Sequence, residues 1–254
     1  MRSLFRPSVP TNAVTVEPVQ APFPKVKGAD IAADFLGKRV AGDFYDSLRV
    51  SPERVLFGLL DVAGRREDNL AIFAAAQEIF RNFGTELFSR PDINESEAMT
   101  ELSLRLNRTL IDTSHGVHPC PAFIGCYHEK FGTLCYSNAG HTPGLLRDSR
   151  GIVEVGSTGL PLGLFSHATA EAPTIGLEEG AALLLVSRGV IECEHLNGHS
   201  TQEFGLKGVN DLFQGAPVSS AKALCDFILS SVGDFTGESP QCDDQTALAL
   251  VRTA

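Results

Sequence analysis

The chain has 254 residues, 43% of them hydrophobic, which is enough to bury one large core within a single domain. A formal net charge of −10, with no basic cluster interleaved with aromatics, argues against a nucleic-acid partner. No run approaches the ~18 consecutive apolar residues of a membrane span and no apolar signal core opens the chain, so a soluble cytoplasmic protein with no membrane partner is expected.

Prolines 7, 10, 18, 22 and 24 crowd the start, and residues 1–21 are read as an extended Pro-rich arm, dispensable for folding, ahead of a domain at 22–254. Gly42-Asp43-Phe44-Tyr45-Asp46 places two acids around aromatics, next to a glycine that permits close backbone approach. Arg54–Leu60 (RVLFGLL) has the length of a buried strand and runs into Asp61. From Asp68, apolar residues recur at helical spacing, with Asp68 or Asn69 as the expected cap, and Met99, Leu102, Leu106 and Leu110 mark a second helix after Pro91. Ala122–Tyr127 and Thr133–Ser137 read as paired strands turning at Gly132, and Gly144–Arg147 reads as a continuation of that meander. Ala181–Val186 and Thr246–Val251 are further buried strands, and between them Ser219–Ser231 reads as a helix stopped by Gly233. Strand runs broken by consecutive helices predict an α+β fold with sheet packed on sheet.

Several apolar strands have a polar residue at one end: Asp61, Arg188 after ALLLVS, and Asp243-Asp244 before TALALV. Oxygen-only clusters suit hard ions such as Mg²⁺ or Mn²⁺, although any one Asp alone is more often a turn or a cap. Arg65 and Arg66 are read as solvated charge beside Glu67 and Asp68 rather than as phosphate contacts, and Asn138 and His141 as groups that satisfy a turn. The six cysteines form no C-x-x-C pair and are expected as buried free thiols.

The ordered series GDFYD, LLDVAG, SNAGHTPGLLR, GLPLGL, LLLVSRGVIE, Phe204-Gly205 and DDQTALALV resembles the PPM metal-dependent protein phosphatases, and within them the SpoIIE/RsbU-like branch, over about residues 22–252. The resemblance implies a four-layer αββα sandwich of two antiparallel sheets flanked by helix pairs. It also implies hydrolysis of phosphoserine or phosphothreonine by a water held between two Mg²⁺ or Mn²⁺ ions, with no covalent nucleophile. By position, Asp61 matches the bridging ligand, the Val62 carbonyl and Asp43 serve the second ion, and Asp243 serves the first. The implied partner is a phosphorylated protein, with an anti-sigma-factor antagonist as the family's suggestion.

Two positions depart from the family pattern. Gly64-Arg65-Arg66 replaces the usual Gly-His-Gly or Gly-Lys-Gly, and Ser187-Arg188-Gly189 stands where a Thr-Asp-Gly turn supplies a ligand to the first ion. Unit charges ~4 Å apart interact by ~4 kcal/mol at an effective dielectric of 20, and a divalent ion facing Arg188 is opposed by roughly twice that. Arg188 therefore leaves two alternatives: a phosphatase with a weakened metal site, in which the guanidinium contacts phosphate, or a catalytically weak or inactive regulatory module that has kept the fold and binds phosphoprotein.

Overall fold

The computed structural model describes residues 22–37, 42–115, 117–167, 170–197, 200–241 and 243–253; the expected arm at 1–21, His199 and Cys242 lie outside them. The elements in chain order are β1 (Ala29–Leu36), β2 (Asp43–Ser51), β3 (Arg54–Asp61), α1 (Arg66–Glu78), a π-helical turn (Ile79–Phe83), α2 (Gly84–Phe88), α3 (Glu95–Ser114), β4 (Ala122–His128) and β5 (Thr133–Ala139). They continue as β6 (Gly144–Asp148), β7 (Gly151–Val155), β8 (Thr174–Gly176), β9 (Ala182–Val186), α4 (Arg188–Ile191), β10 (Glu194–Asn197), β11 (Ser200–Glu203), α5 (Gly205–Gly215), α6 (Ala221–Thr236) and β12 (Gln245–Arg252). Two five-stranded sheets form, ordered β2-β3-β4-β5-β8 and β1-β12-β9-β6-β7, with β10 and β11 as a separate hairpin.

Alternation along the strands sorts the side chains into three cores. In β3, Leu56 and Leu60 join Phe73, Met99, Leu102 and Leu106 of the helices on one face. Val55, Phe57 and Leu59 point the other way and meet Leu183, Leu185, Leu248 and Leu250 of the second sheet. The opposite faces of β9 and β12 pack under α5 and α6 through Leu184, Val186, Ala247, Phe213, Leu224 and Ile228. The result is the four-layer α+β sandwich that the motif series implied. Cys120, Cys126 and Cys135 lie in the first outer core, and Cys193 and Cys225 in the second, all five as buried free thiols.

Three local expectations need correction. The segment at Gly144–Arg147 does not continue the meander: after the turn at Gly140 (φ 67°), β6 crosses to the other sheet and pairs with β9, and β8 takes the place beside β5. Gly233 does not stop α6, which runs on to Thr236 and ends at Gly237 (φ 57°), where a left-handed turn requires a glycine. Gly233 instead lies over Leu36 of β1, a side chain that a Cβ there would meet at 3.5 Å. Neither Asp68 nor Asn69 caps α1: the helix begins at Arg66 without a side-chain cap, and Asn69 Nδ2 donates back to the Ala63 carbonyl at 3.1 Å. The second helix starts with the signal its sequence carries, as Asn94 Oδ1 accepts from the amides of Ser96 and Glu97.

Candidate active site

The polar residues gather at one end of the slot between the sheets, and strand parity explains why. Asp61 shares the parity of Val55, Phe57 and Leu59, Asp43 that of Tyr45, and Thr246 that of Leu248 and Leu250, so each side chain faces the other sheet. Asp43 and Asp61 are direct partners in the antiparallel β2–β3 register, which sets two carboxylates side by side. Both are buried, at 1% and 5% exposure.

Gly42 is required here. Its carbonyl accepts from the Val62 amide at 3.0 Å, and a Cβ on it would sit 1.6 Å from the Val62 carbonyl oxygen. The Val62 carbonyl is thereby held against the backbone next to Asp43. His118 Nε2 lies 3.0 Å from the Ala63 carbonyl and steadies the same loop.

From the second sheet, the end of β9 is clamped to the start of β12. The Ser187 amide donates to the Thr246 carbonyl, the Ser187 hydroxyl to the Asp244 carbonyl, and the Thr246 amide back to that hydroxyl, each at 3.0 Å. Gly189 is pressed so closely on this junction that a Cβ would lie 2.2 Å from the Asp244 carbonyl oxygen. Thr142 Oγ1 donates to the Val186 carbonyl, bracing β9 from the turn at Asn138–His141. In that turn Asn138 Oδ1 accepts the His141 amide at 2.9 Å, so both residues satisfy backbone groups, as their position in a turn suggested.

Arg188 follows directly, and its guanidinium lies beside the acids while the side chain stays part-exposed. Its amide donates to Asp61 Oδ2 at 3.0 Å. Its Nη2 lies 3.0 Å from Asp243 Oδ2 and 3.8 Å from Asp61 Oδ1, and its Nε lies 3.8 Å from Glu192. Asp244, buried at 1% exposure, closes the cluster by accepting the Asp43 amide through Oδ2 at 3.2 Å. The structure thus brings Asp43, Asp61, Val62, Asp243 and Arg188 together.

Sequence reasoning named Asp244 with Asp243 as a strand-end acid but gave it no role of its own, and it missed Arg66 as part of this assembly. Arg66 Nη1 donates to the Asp43 carbonyl at 3.2 Å and its guanidinium lies over the Phe73 ring, which corrects its reading as solvated charge; Arg65 does fit that reading, exposed beside Asp68. A cleft of about 390 Å³ opens next to Asp243, lined by Gly189, Glu192, Glu194, Thr236, Gln241 and Gln245.

The electrostatics divide the cluster in two. Burial pushes Asp43 well above the usual carboxylate range and neighbouring Asp61 pushes it further, while the hydroxyls of Thr246 and Ser187 pull the other way. Burial also raises Asp61, against the opposing pull of the Arg188 amide and guanidinium. Asp43 Oδ2 is buried and meets no donor in hydrogen-bond geometry, although the Thr246 and Ser187 hydroxyls stand close to the carboxyl. A buried, unpartnered carboxylate oxygen beside a second carboxylate fits a hard divalent cation, which keeps several waters and uses one or two carboxylates. The Asp61–Asp243 side carries a guanidinium instead and does not fit a second ion. Among the described residues, no group of three or more His, Cys, Asp or Glu is arranged to hold a metal ion by itself.

The chain matches the family model described as Stage II sporulation protein E (SpoIIE) over residues 51–253. It is 24% identical over 234 residues to Protein IcfG of Synechocystis, covering 85% of this chain and 36% of that protein. It is 24% identical over 154 residues to Phosphoserine phosphatase RsbP of Bacillus subtilis, covering 60% and 37%. The chain thus spans little more than a third of the curated relatives it matches. Its fold is similar to the RsbU and RsbW domains of Rv1364c from Mycobacterium tuberculosis (TM-score 0.71, 24% identity, 92% of this chain and 64% of that one). It is also similar to the SiaA-PP2C domain of Pseudomonas aeruginosa (TM-score 0.71, 16% identity, 88% and 86%) and to RsbX in complex with magnesium (TM-score 0.62, 14% identity, 91% and 98%).

Proposed function

Because the chain belongs to the SpoIIE family of PP2C-type (PPM) serine phosphatase domains, we propose that it hydrolyses phosphoserine or phosphothreonine on a bacterial signalling protein, using an ion held by Asp43 and Asp61. The observation that carries this reading is Asp43 Oδ2, buried and unpartnered against Asp61. An acid in that state has little structural use and a clear chemical one. The Val62 carbonyl, fixed by Gly42, adds an oxygen donor beside Asp43.

A Mg²⁺ or Mn²⁺ ion, as the family uses, would supply an acidified water and positive charge at the phosphoryl oxygens. This chain's own residues do the remaining work. Asp43 and Asp61 orient the donor oxygens, Asp244 and Arg66 fix the Asp43 backbone, and Arg188 offers guanidinium donors toward phosphate. The cleft beside Asp243 gives room for the polypeptide next to the phosphorylated residue. A phosphorylated anti-sigma-factor antagonist is the partner class that the family suggests, and cytoplasmic signalling the setting.

Phosphate release from a phosphoserine protein and from p-nitrophenyl phosphate, with and without Mn²⁺, tests this reading. The expected result is Mn²⁺-dependent turnover that falls at least a hundredfold in Asp61→Ala. A second reading, a phosphoprotein-binding regulatory module, draws on the Arg188–Asp243 ion pair. Binding of the phosphoprotein with no turnover at any Mn²⁺ concentration would favour it.

A further inference from the structure

The family pattern puts an aspartate where this chain has Arg188, and the side chain does not turn away to make room for an ion. We propose that the Arg188 guanidinium is a tethered cation that takes the place of one divalent ion between Asp61 and Asp243, so that the domain holds a single ion, at Asp43 and Asp61. The inference rests on the reading above for that one ion, and on the geometry around Arg188 for the rest.

Four observations carry it. Nη2 lies 3.8 Å from Asp61 and 3.0 Å from Asp243, so one cationic group stands between the two carboxylates. The Arg188 amide also donates to Asp61 Oδ2 at 3.0 Å, which orients that carboxylate from the backbone as well. The arginine has little freedom at its root: Ser187 before it is clamped into the β9–β12 junction, and Gly189 after it lies against the Asp244 backbone. Finally, the cluster is asymmetric, because Asp243 and Asp61 have a cation from the chain whereas Asp43 Oδ2 has none. A guanidinium is always charged and holds carboxylates in a fixed fork, so this countercharge is present whether or not metal is available.

One part of the acid cluster is therefore neutralised by folding and the other by metal. In a two-ion site both would wait for metal. The planar fork also leaves donors for a phosphoryl oxygen, since the Arg188 side chain is 44% exposed.

The test is a Mn²⁺ titration of the metal-stripped full chain, read by calorimetry for stoichiometry and by thermal melting for stability. The parent is expected to bind one Mn²⁺ per chain, with loss of that ion in Asp43→Asn. Arg188→Asp is expected to bind two and, without metal, to melt about 5 °C lower, the loss being recovered on adding Mn²⁺. Arg188→Gln keeps the bulk without the charge, so it serves if the aspartate variant does not fold: its metal-free melting point should fall while its Mn²⁺-induced rise exceeds the parent's. Arg188→Lys, which keeps the charge, should retain one ion. Two ions of comparable affinity in the parent, or Asp and Gln variants that keep the parent's stoichiometry and metal-free melting point, would overturn the proposal. A parent that binds one ion yet releases no phosphate refutes the hydrolase reading and leaves this one standing; a two-ion active parent does the reverse.

Discussion

Asp43 and Asp46 sit three residues apart on one strand, yet opposite parity sends them to different worlds. Asp46 faces the helices and receives a bidentate guanidinium from Arg81, at 2.6 and 2.7 Å, with Gln77 Nε2 at 3.1 Å. Asp43 faces the other sheet, meets a second carboxylate across the ladder, and keeps one oxygen without a partner. The first is an acid completed by the fold. The second is an acid left incomplete, and incompleteness at a buried position is a better sign of function than the residue type.

The largest effect is expected from removing the geometry that makes the contrast. Gly42→Ala forces a methyl group into the Val62 carbonyl and should destabilise the domain by about 3 kcal/mol, seen as a lowered urea midpoint, and abolish Mn²⁺ binding as well. A second incomplete group, His141, sharpens the contrast from the cationic side. Fully buried with Nε2 unpartnered, it is held down to about 4 by burial, only partly offset by its hydrogen bond to the Thr142 carbonyl. Its unfolded form takes up a proton near 6.5 while the native form resists until about 4. Stability should therefore fall as pH drops through that window, by about 3 kcal/mol at ~1.4 kcal/mol per pH unit. Urea melts at pH 7 and pH 4.5 measure the slope, and a His141→Gln variant should lack it.

The two aspartates should then respond with opposite sign. Asp46→Ala strands Arg81; the buried-pair penalty, reduced because Arg81 is a third exposed, comes to about 2 kcal/mol of lost stability. Asp43→Asn removes a buried unpartnered acid and should stabilise the metal-free protein at pH 7 by about 1 kcal/mol while eliminating Mn²⁺ binding. If both substitutions destabilise the metal-free protein alike, Asp43 is a structural acid and the contrast fails.

Much of this arrangement was legible in the sequence where burial is extreme. RVLFGLL ending in Asp61 and TALALV preceded by two acids reveal strand ends because continuous apolar runs admit few other placements. The strand β1, ADIAADFL, escaped notice: its small and acidic residues dilute the alternation that places Ala29 and Ile31 between the sheets. Gly233 misled because a mid-helix glycine and a terminal one look alike, and only the left-handed φ at Gly237 tells them apart. Arg66 was hidden by its neighbours Glu67 and Asp68, since nothing local reveals that the helix turns it toward Phe73, seven residues on along the same face. That Arg188 would enter the cluster rather than leave it depended on the clamp at Ser187 and on the pressed Gly189, contacts made with residues more than fifty positions away.

The distribution of thiols turns the fold into its own unfolding gauge. Burial pushes Cys120 and Cys225 up to about 12, and Cys135 and Cys193 up to about 11. At neutral pH these four sulfurs are almost entirely thiol, and a thiolate-seeking reagent reaches them only when the surrounding layer opens. With Cys120 and Cys135 on one side of the sandwich and Cys193 and Cys225 on the other, mass spectrometry of pulse-alkylated peptides would time the separation of each helical layer independently.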